Sequence, residues 1–400
     1  MTDLPKSTSG ITAKRGDVDR VSGSTGSLTS RVKAEARRLG FDLVGVTDVR
    51  GSAHAEFYRA WLERGLHGDM GYLEREDAVA KRLRPAQAWP ELRSAIVMGM
   101  VYGQGDEPSP SPSAGIIARY ARGRDYHRVL KAKVMALLRF VEAETGREQP
   151  AARAYVDTGP VLERELAQRA GLGWYGRNTM LINPGLGSYF FLAALLLETE
   201  LEPNAPFAHD RCGTCTRCVD ACPTGALLGR DESGAPVMDA TRCISYLTIE
   251  QRGPIPRELR PLVGNRIYGC DICQEACPWN APKFVQLTSE RDYRADWRAA
   301  TDRPEAPRDL PGTGSPSLIE LMAMTREEWD VWTRGSAIRR AGYAGFKRNV
   351  AVAMGNWLAS VVDPSEAAVA ALRHALEDES DLVREHAAWA LRQVDATASG

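Results

Sequence analysis

The sequence predicts a mixed α and β protein, of α+β type overall. An α/β domain, a cysteine-rich module and a helical repeat follow one another along the chain. Three observations carry this reading. Short apolar runs alternate with amphipathic stretches over residues 30–204, all eight cysteines fall between 212 and 277, and the C-terminal stretch is rich in Ala, Leu, Arg and Glu with helical periodicity. At 400 residues and 44% apolar content the chain is long enough to bury more than one core.

Residues 1–29 are rich in Ser, Thr, Gly and Asp and lack the apolar segment of a secretory signal, so they read as a disordered leader. Leu28-Thr29-Ser30 opens a helix with apolar Val32, Ala36 and Leu39 that stops at Gly40, and a strand-like run follows over 41–46. Residues 94–101 read as a second strand, 125–145 as a long helix and 154–156 as a strand end. Pro160 and Gly171 bracket a further helix, and 188–197 looks like a buried strand. The Pro/Ser stretch 106–114 is a loop inside this domain, which spans 30–204. The break at 203–210 opens the cysteine module, 205–285, and a Pro-rich linker over 286–316 leads to a helical domain, 317–396. There, periodic stretches at 338–361 and 366–394, parted by Asp363-Pro364, resemble a HEAT-type repeat, whose period of about 40 residues leaves room for one or two copies. A plain helical tail packed on the core is the alternative.

With 51 basic against 52 acidic residues, the whole chain has no electrostatic footprint for nucleic acid, so any basic binding face must be local. The longest apolar run, 189–197, has nine residues, about half of the roughly 20 that span a bilayer. A cytoplasmic location without membrane attachment is expected, where thiols stay reduced and clustered cysteines signify metal rather than disulfide.

The run Cys212-x2-Cys215-x2-Cys218-x3-Cys222-Pro223 has the spacing of bacterial two-cluster ferredoxins, in which three thiolates bind one cubane and the fourth reaches the other. A full second copy would place cysteines at 267, 270, 273 and 277, but position 267 is Ile267. Cys243 is free to replace the missing ligand. The count closes with Cys212, Cys215, Cys218 and Cys277 on a first [4Fe–4S] cluster, and Cys222, Cys243, Cys270 and Cys273 on a second, in a ferredoxin-like module. A pair of zinc sites is the competing reading, but it leaves the third cysteine of each triplet without a purpose. Two interleaved cubanes imply an electron destination, which the preceding domain would hold.

Within that domain the stretch 155–164, YVDTGPVLER, places Asp157 at a strand end before a helix, a common place for chemistry. Alternatively Asp157 only caps the helix begun by Pro160. A helix N-terminus would lower its pKa and an apolar wall would raise it. The Gly-rich aromatic stretch 171–178, GLGWYGRN, reads as a loop moulded around a large flat ligand. Its G-x-G-x-x-G spacing closes a helix where a dinucleotide fingerprint would open one, so nucleotide binding is rejected.

The motifs DTGPVLERELAQRAGLGWYGRNTMLI (157–182), ARYARGRDYH (118–127), CISYLTIE (243–250) and YGCDICQEACPWN (268–280), with the cysteine runs, resemble the epoxyqueuosine reductase family over residues 30–395. The resemblance implies two [4Fe–4S] clusters and cobalamin as cofactors. It also implies a tRNA carrying epoxyqueuosine at the wobble position as substrate and reduction of its epoxide to the alkene of queuosine. The clusters would be fed by a low-potential electron donor that the sequence does not identify. Asp157 matches the family's proton donor and Arg164 a substrate contact. Arg82, Arg119, Asp157, Leu181, Ser245 and Asp271 fall where cobalamin contacts are expected.

A local basic face, Arg334, Arg339, Arg340, Lys347 and Arg348 with Tyr343 and Phe346 between them, could attract phosphates and stack on unpaired bases. The resemblance turns this face from a solvated helix side into a tRNA-binding one, with Lys347 and Arg348 as its contacts. The competing functions are a reductive dehalogenase, which usually carries an export signal that is not seen before residue 30, and a ferredoxin-like electron carrier with an inert accessory domain.

Overall fold

The computed structural model describes residues 26–105, 111–281, 283, 285–296 and 311–398. Residues 1–25 of the expected leader, 106–110 of the Pro/Ser loop and 297–310 of the expected linker lie outside the described residues.

The first helix, Leu28–Arg38, starts inside the expected leader: the Ser27 hydroxyl accepts from the Ser30 amide and caps it. It packs with the helix Tyr126–Thr145 on one face of a four-stranded sheet. The strand order is Leu43–Asp48, Ser94–Val101, Phe190–Leu197, Arg153–Tyr155, and every neighbouring pair is antiparallel. The mixture of helix and strand agrees with expectation, but no parallel β-α-β unit builds this sheet.

The central strand reads as a continuous apolar run because both its faces are covered. Ile96, Met98 and Met100 join the core beneath Leu28–Arg38 and Tyr126–Thr145. Ala95, Val97 and Val101 join a second core under the helix Glu163–Arg169. Leu195, fully buried on the partner strand, belongs to the first of these; truncating it to Ala would cost about 2–5 kcal/mol.

The helix expected from Pro160 begins only at Glu163. The intervening turn is forced by Asp157, at φ 59°, and by Gly159, where a Cβ would stand 2.2 Å from the Tyr155 ring. A non-glycine residue in the left-handed region holds that conformation only if its surroundings impose it.

The C-terminal helices Tyr343–Ala359, Glu366–His374 and Asp381–Ala398 pack on one another. Gly355 lets two of them touch, since a Cβ there would lie 2.7 Å from the Trp389 ring. Their apolar side is continuous with the cysteine module: Ile244, Leu247 and Ile267 share one core with Leu318, Phe346, Val350 and Ala390. The expected division between 205–285 and 317–396 therefore runs through a single core. The flanks of the expected linker are also packed. The Thr288 amide donates to the Gly103 carbonyl (2.8 Å), Tyr293 is buried in the sheet domain, and the Thr313 hydroxyl donates to the Arg122 carbonyl (2.5 Å).

Candidate active site and cluster-binding region

Asp157 leaves the edge strand Arg153–Tyr155 with its carboxylate turned toward the start of the long helix. It is not a helix cap, because the next helix starts at Glu163 with no side-chain cap bond. Instead Asp157 Oδ2 accepts from the Tyr126 hydroxyl at 2.8 Å and faces His127 Nε2 at 3.5 Å. The other ring nitrogen of His127 meets Asp125 at 2.7 Å. Asp125 has a second task as N-cap of Tyr126–Thr145, accepting from the His127 amide. The Tyr126 ring stacks on Phe191, with centroids 4.2 Å apart, and that fixes its hydroxyl.

Desolvation favours the neutral acid at Asp157. The His127 ring at 3.5 Å, the Tyr126 hydrogen bond and the charge of Arg164 outweigh it, and hold the carboxyl below its ordinary value. His127 moves the opposite way. Burial works against its charge, but the two carboxylates beside it raise its pKa to about 9, so the ring is a cation at neutral pH. The Asp157 side chain remains 65% accessible, so a substrate can reach it. Of the opposing expectations for Asp157, the lowering one prevails, through hydrogen bonding and not through a helix terminus.

Two further groups stand nearby. Arg164 is exposed and donates to the Thr179 carbonyl at 2.8 Å. Glu163, desolvated and close to the charge of Asp157, is pushed up to about 8 and is neutral at pH 7. Glu163 Oε1, Arg82 Nη1 and Thr179 Oγ1 are buried with no hydrogen-bond partner. Three orphaned polar atoms in one neighbourhood suit a polar ligand seated against them.

Of the other residues expected around the corrinoid, Arg119 and Asp271 are brought together. Asp271 Oδ2 accepts from the Arg119 amide (2.7 Å) and guanidinium (3.3 Å), and Arg119 also reaches Glu275 at 2.6 Å. Burial nonetheless raises the Asp271 carboxyl. Leu181 is buried in the sheet-domain core, and Ser245 lies half-buried on the short helix that follows Cys243. Tyr126, Tyr120 and Tyr268 stand in a row, with centroids 6.1 and 6.2 Å apart, that ends two residues before Cys270.

Cys212, Cys215, Cys218 and Cys277 line one cavity of about 290 Å³ with Ile182 and Trp279. Cys243 lies within electrostatic reach of Cys222, and Cys270 and Cys273 within reach of Cys243. A single zinc would draw its thiolates to about 2.3 Å from one point. Among the described residues no three His, Cys, Asp or Glu converge so tightly. The space between the thiols suits a cubane. Ile267, at the position of the absent cysteine, is fully buried in the core shared with the C-terminal helices.

The aromatic loop after Gly171 departs from expectation. Trp174–Tyr175 pairs with Leu181–Ile182 as a short hairpin, and Trp174 is buried against Phe207 and Trp279 beside Cys277. That tryptophan packs the cluster region.

The basic face needs a larger correction. Lys347 and Arg348 are buried, at 6% and 1% exposure. Lys347 donates to the Met322 carbonyl. Arg348 donates to the carbonyls of Leu247 (2.6 Å), Gln251 (2.9 Å) and Gly253 (2.6 Å), and burial pushes its pKa down to about 10. Arg348 staples the helical region to the cysteine module, Lys347 ties together two segments of the helical region itself, and neither side chain is at the surface. Phe346 is likewise buried, whereas Arg334, Arg339 and Arg340 remain at the surface.

Sequence reasoning passed over Tyr126, His127 and Glu163. The signal was an Asp-Tyr-His triplet in which the aspartate caps a long helix, so its two successors project from a fixed helix start.

A sheet domain with Asp157 facing His127, joined to a module of eight free cysteines, fits the class of iron–sulfur oxidoreductases. A family model described as "4Fe-4S double cluster binding domain" matches residues 211–280, and one described as "Epoxyqueuosine reductase QueG, DUF1730" matches 82–158. The chain belongs to the epoxyqueuosine reductase family. It is 42% identical to the epoxyqueuosine reductase of Burkholderia pseudomallei, over 91% of this chain and 92% of that protein. It is 38% identical to that of Escherichia coli, over 92% and 89%. A crystal structure of epoxyqueuosine reductase with a tRNA-Tyr epoxyqueuosine-modified tRNA stem loop superposes with a TM-score of 0.76 at 28% identity, covering 92% of this chain and 90% of that one. No helix among the described residues is long and apolar enough to cross a membrane.

Proposed function

We infer that the chain reduces the epoxide of epoxyqueuosine, in the wobble position of a tRNA anticodon, to the alkene of queuosine. The observation that carries this reading is the Asp125–His127–Asp157–Tyr126 array, an acid with a charged proton source at its back and an open face in front. The overall change consumes two electrons and two protons, and the epoxide oxygen leaves as water. Such a substrate places the reaction in the cytoplasm.

The two cysteine sets would hold two [4Fe–4S] clusters in a ferredoxin-like arrangement, and the orphaned atoms of Arg82, Glu163 and Thr179 support a bound corrinoid nearby. When bound, these cofactors supply single electrons and a strongly reducing cobalt centre. The rest follows from the chain's own groups. The His127 cation passes its proton through Asp157 to the departing oxygen, and solvent at the open face supplies the second proton. Tyr126 fixes the carboxylate, and Arg164, beside Asp157, binds the substrate. Arg119, Leu181, Ser245 and Asp271 shape the cobalamin wall, with the Arg119–Asp271 pair tying it to the cluster module. The pairwise packing of the C-terminal helices supports a HEAT-like reading. Exposed Arg334, Arg339 and Arg340, with Tyr72 under the Arg340 guanidinium at 5.8 Å, form the surface offered to the anticodon loop.

The test is conversion of epoxyqueuosine-bearing tRNA, read by mass spectrometry of the digested nucleosides. Loss of one oxygen should require the protein, cobalamin and a strong reductant together. No conversion by protein with full iron and cobalamin content would overturn the reading.

A further inference from the structure

The two thiol sets differ in their surroundings. Cys243 and Cys270 pack against the shared core, whereas Cys212 and Cys215 lie on a surface loop in which Arg211, Gly213, Thr214, Thr216 and Arg217 are all exposed. Electron tunnelling falls steeply with distance, so an external donor reaches the first set more readily than the second. Cys273 lies within electrostatic reach of Cys218, so the sets adjoin and an electron received at the first can pass inward.

Three arginines, Arg177, Arg211 and Arg217, stand around the first set, although the chain as a whole carries a net charge of −1. Arg177 donates to the Gly213 carbonyl at 2.9 Å, and Arg211 lies over the Phe207 ring at 5.5 Å. Both arginines line the cavity between the thiols. Of the two acids on this loop, Asp210 is paired with Arg230 (2.6 Å) and accepts from the Cys212 amide (2.8 Å), which leaves Asp220, accepting from the Thr216 hydroxyl (2.7 Å), as one carboxylate against three arginines. Among the described residues, neither Arg211 nor Arg217 is paired with a carboxylate.

We propose that this rim docks a small acidic one-electron carrier protein, whose carboxylates meet Arg177, Arg211 and Arg217 and bring its redox group to the first cluster. The proposal rests on the reading that Cys212, Cys215, Cys218 and Cys277 hold that cluster. Each encounter oxidises the carrier by one electron and reduces the cluster by one. Two encounters supply the two electrons consumed per epoxide, and no atom is transferred. Complementary charge acts chiefly on the encounter rate, by about 10–10³-fold, and its effect falls with ionic strength.

The test uses the full cluster-loaded chain and the Arg211→Glu/Arg217→Glu double variant, with iron and sulfide measured first. Each is mixed with an acidic flavodoxin in its hydroquinone form, or with dithionite, and the loss of cluster absorbance is followed. At low salt the variant should react with flavodoxin at least about tenfold more slowly, while dithionite reduces both proteins alike. Titration calorimetry with oxidised flavodoxin should show weakened binding in parallel. A control with equal charge change, Arg373→Glu/Arg392→Glu on the C-terminal helices, should react as the parent does.

Equal flavodoxin rates in parent and double variant would overturn the proposal. So would equal slowing with both reductants, which would mean that the arginines only balance the charge of the cluster. Should the double variant lose iron, Arg217→Glu alone carries the test, because Arg217 does not line the thiol cavity. A parent protein that binds no iron would instead sink the cluster assignment.

Discussion

Replacing Asp157 by Asn separates chemistry from structure at the site. The backbone there has φ 59°, a region that Asn tolerates as well as Asp, so the turn should survive. The Tyr126 hydroxyl, 2.8 Å from Oδ2, can donate to an amide oxygen as it does to the carboxylate. What disappears is a carboxylate able to take up and pass on a proton, with its negative charge 3.5 Å from His127. General-acid catalysis contributes about 10²–10⁴-fold, which is roughly 3–5 kcal/mol of barrier. The expected outcome is therefore a single-turnover rate on epoxyqueuosine stem loop reduced by about that factor, with an unfolding midpoint close to the parent's. Iron and cobalamin content must match between the two proteins. A rate within a few-fold of the parent would remove Asp157 as proton donor and leave that role to His127, water or Glu163.

Three further outcomes are expected. The raised pKa of His127, about 9 against an ordinary value near 6.5, means its contribution to stability is complete below the ordinary value and is lost as pH rises through 9. The single-turnover rate should fall along the same alkaline limb, and Asp125→Asn should move that limb to lower pH; an unmoved limb would exclude His127 as the proton source. Arg348→Ala leaves the carbonyls of Leu247, Gln251 and Gly253 without donors. At about 1 kcal/mol or more each, urea denaturation should show a loss of several kcal/mol, while the salt dependence of tRNA binding by the folded protein stays as it was. A flattened salt slope at unchanged stability would restore Arg348 to the tRNA face. Cys243→Ser should lose one cluster and keep the other, giving about half of the roughly eight iron atoms that two cubanes hold, with one EPR signal of the reduced protein altered. Full iron content would show that another group completes the second set.

How far the sequence could be read depended on the kind of information involved. The cysteine module was legible because a cubane imposes its own spacing on a short stretch of chain. The strand 94–101 and the helix 126–145 were legible because apolar period and capping are local properties. The all-antiparallel order of the sheet was not, since strand pairing between residues 43 and 197 depends on contacts that no local window contains.

The chemistry of the chain was thus determined by its sequence: eight cysteines between 212 and 277, an acid at a strand end, and motifs that carry the family. Only the tertiary structure decided the state and use of the side chains. Asp157 is lowered and His127 raised because a positive-φ turn and a helix start bring them face to face, 30 positions apart in the chain. Lys347 and Arg348 sit in a stretch that looks like a charged surface, yet they are buried because their helix closes the shared core, where the backbone carbonyls of Met322 and Leu247 need donors. Charge is a property of residue type. Exposure and pKa are properties of the neighbours that folding supplies.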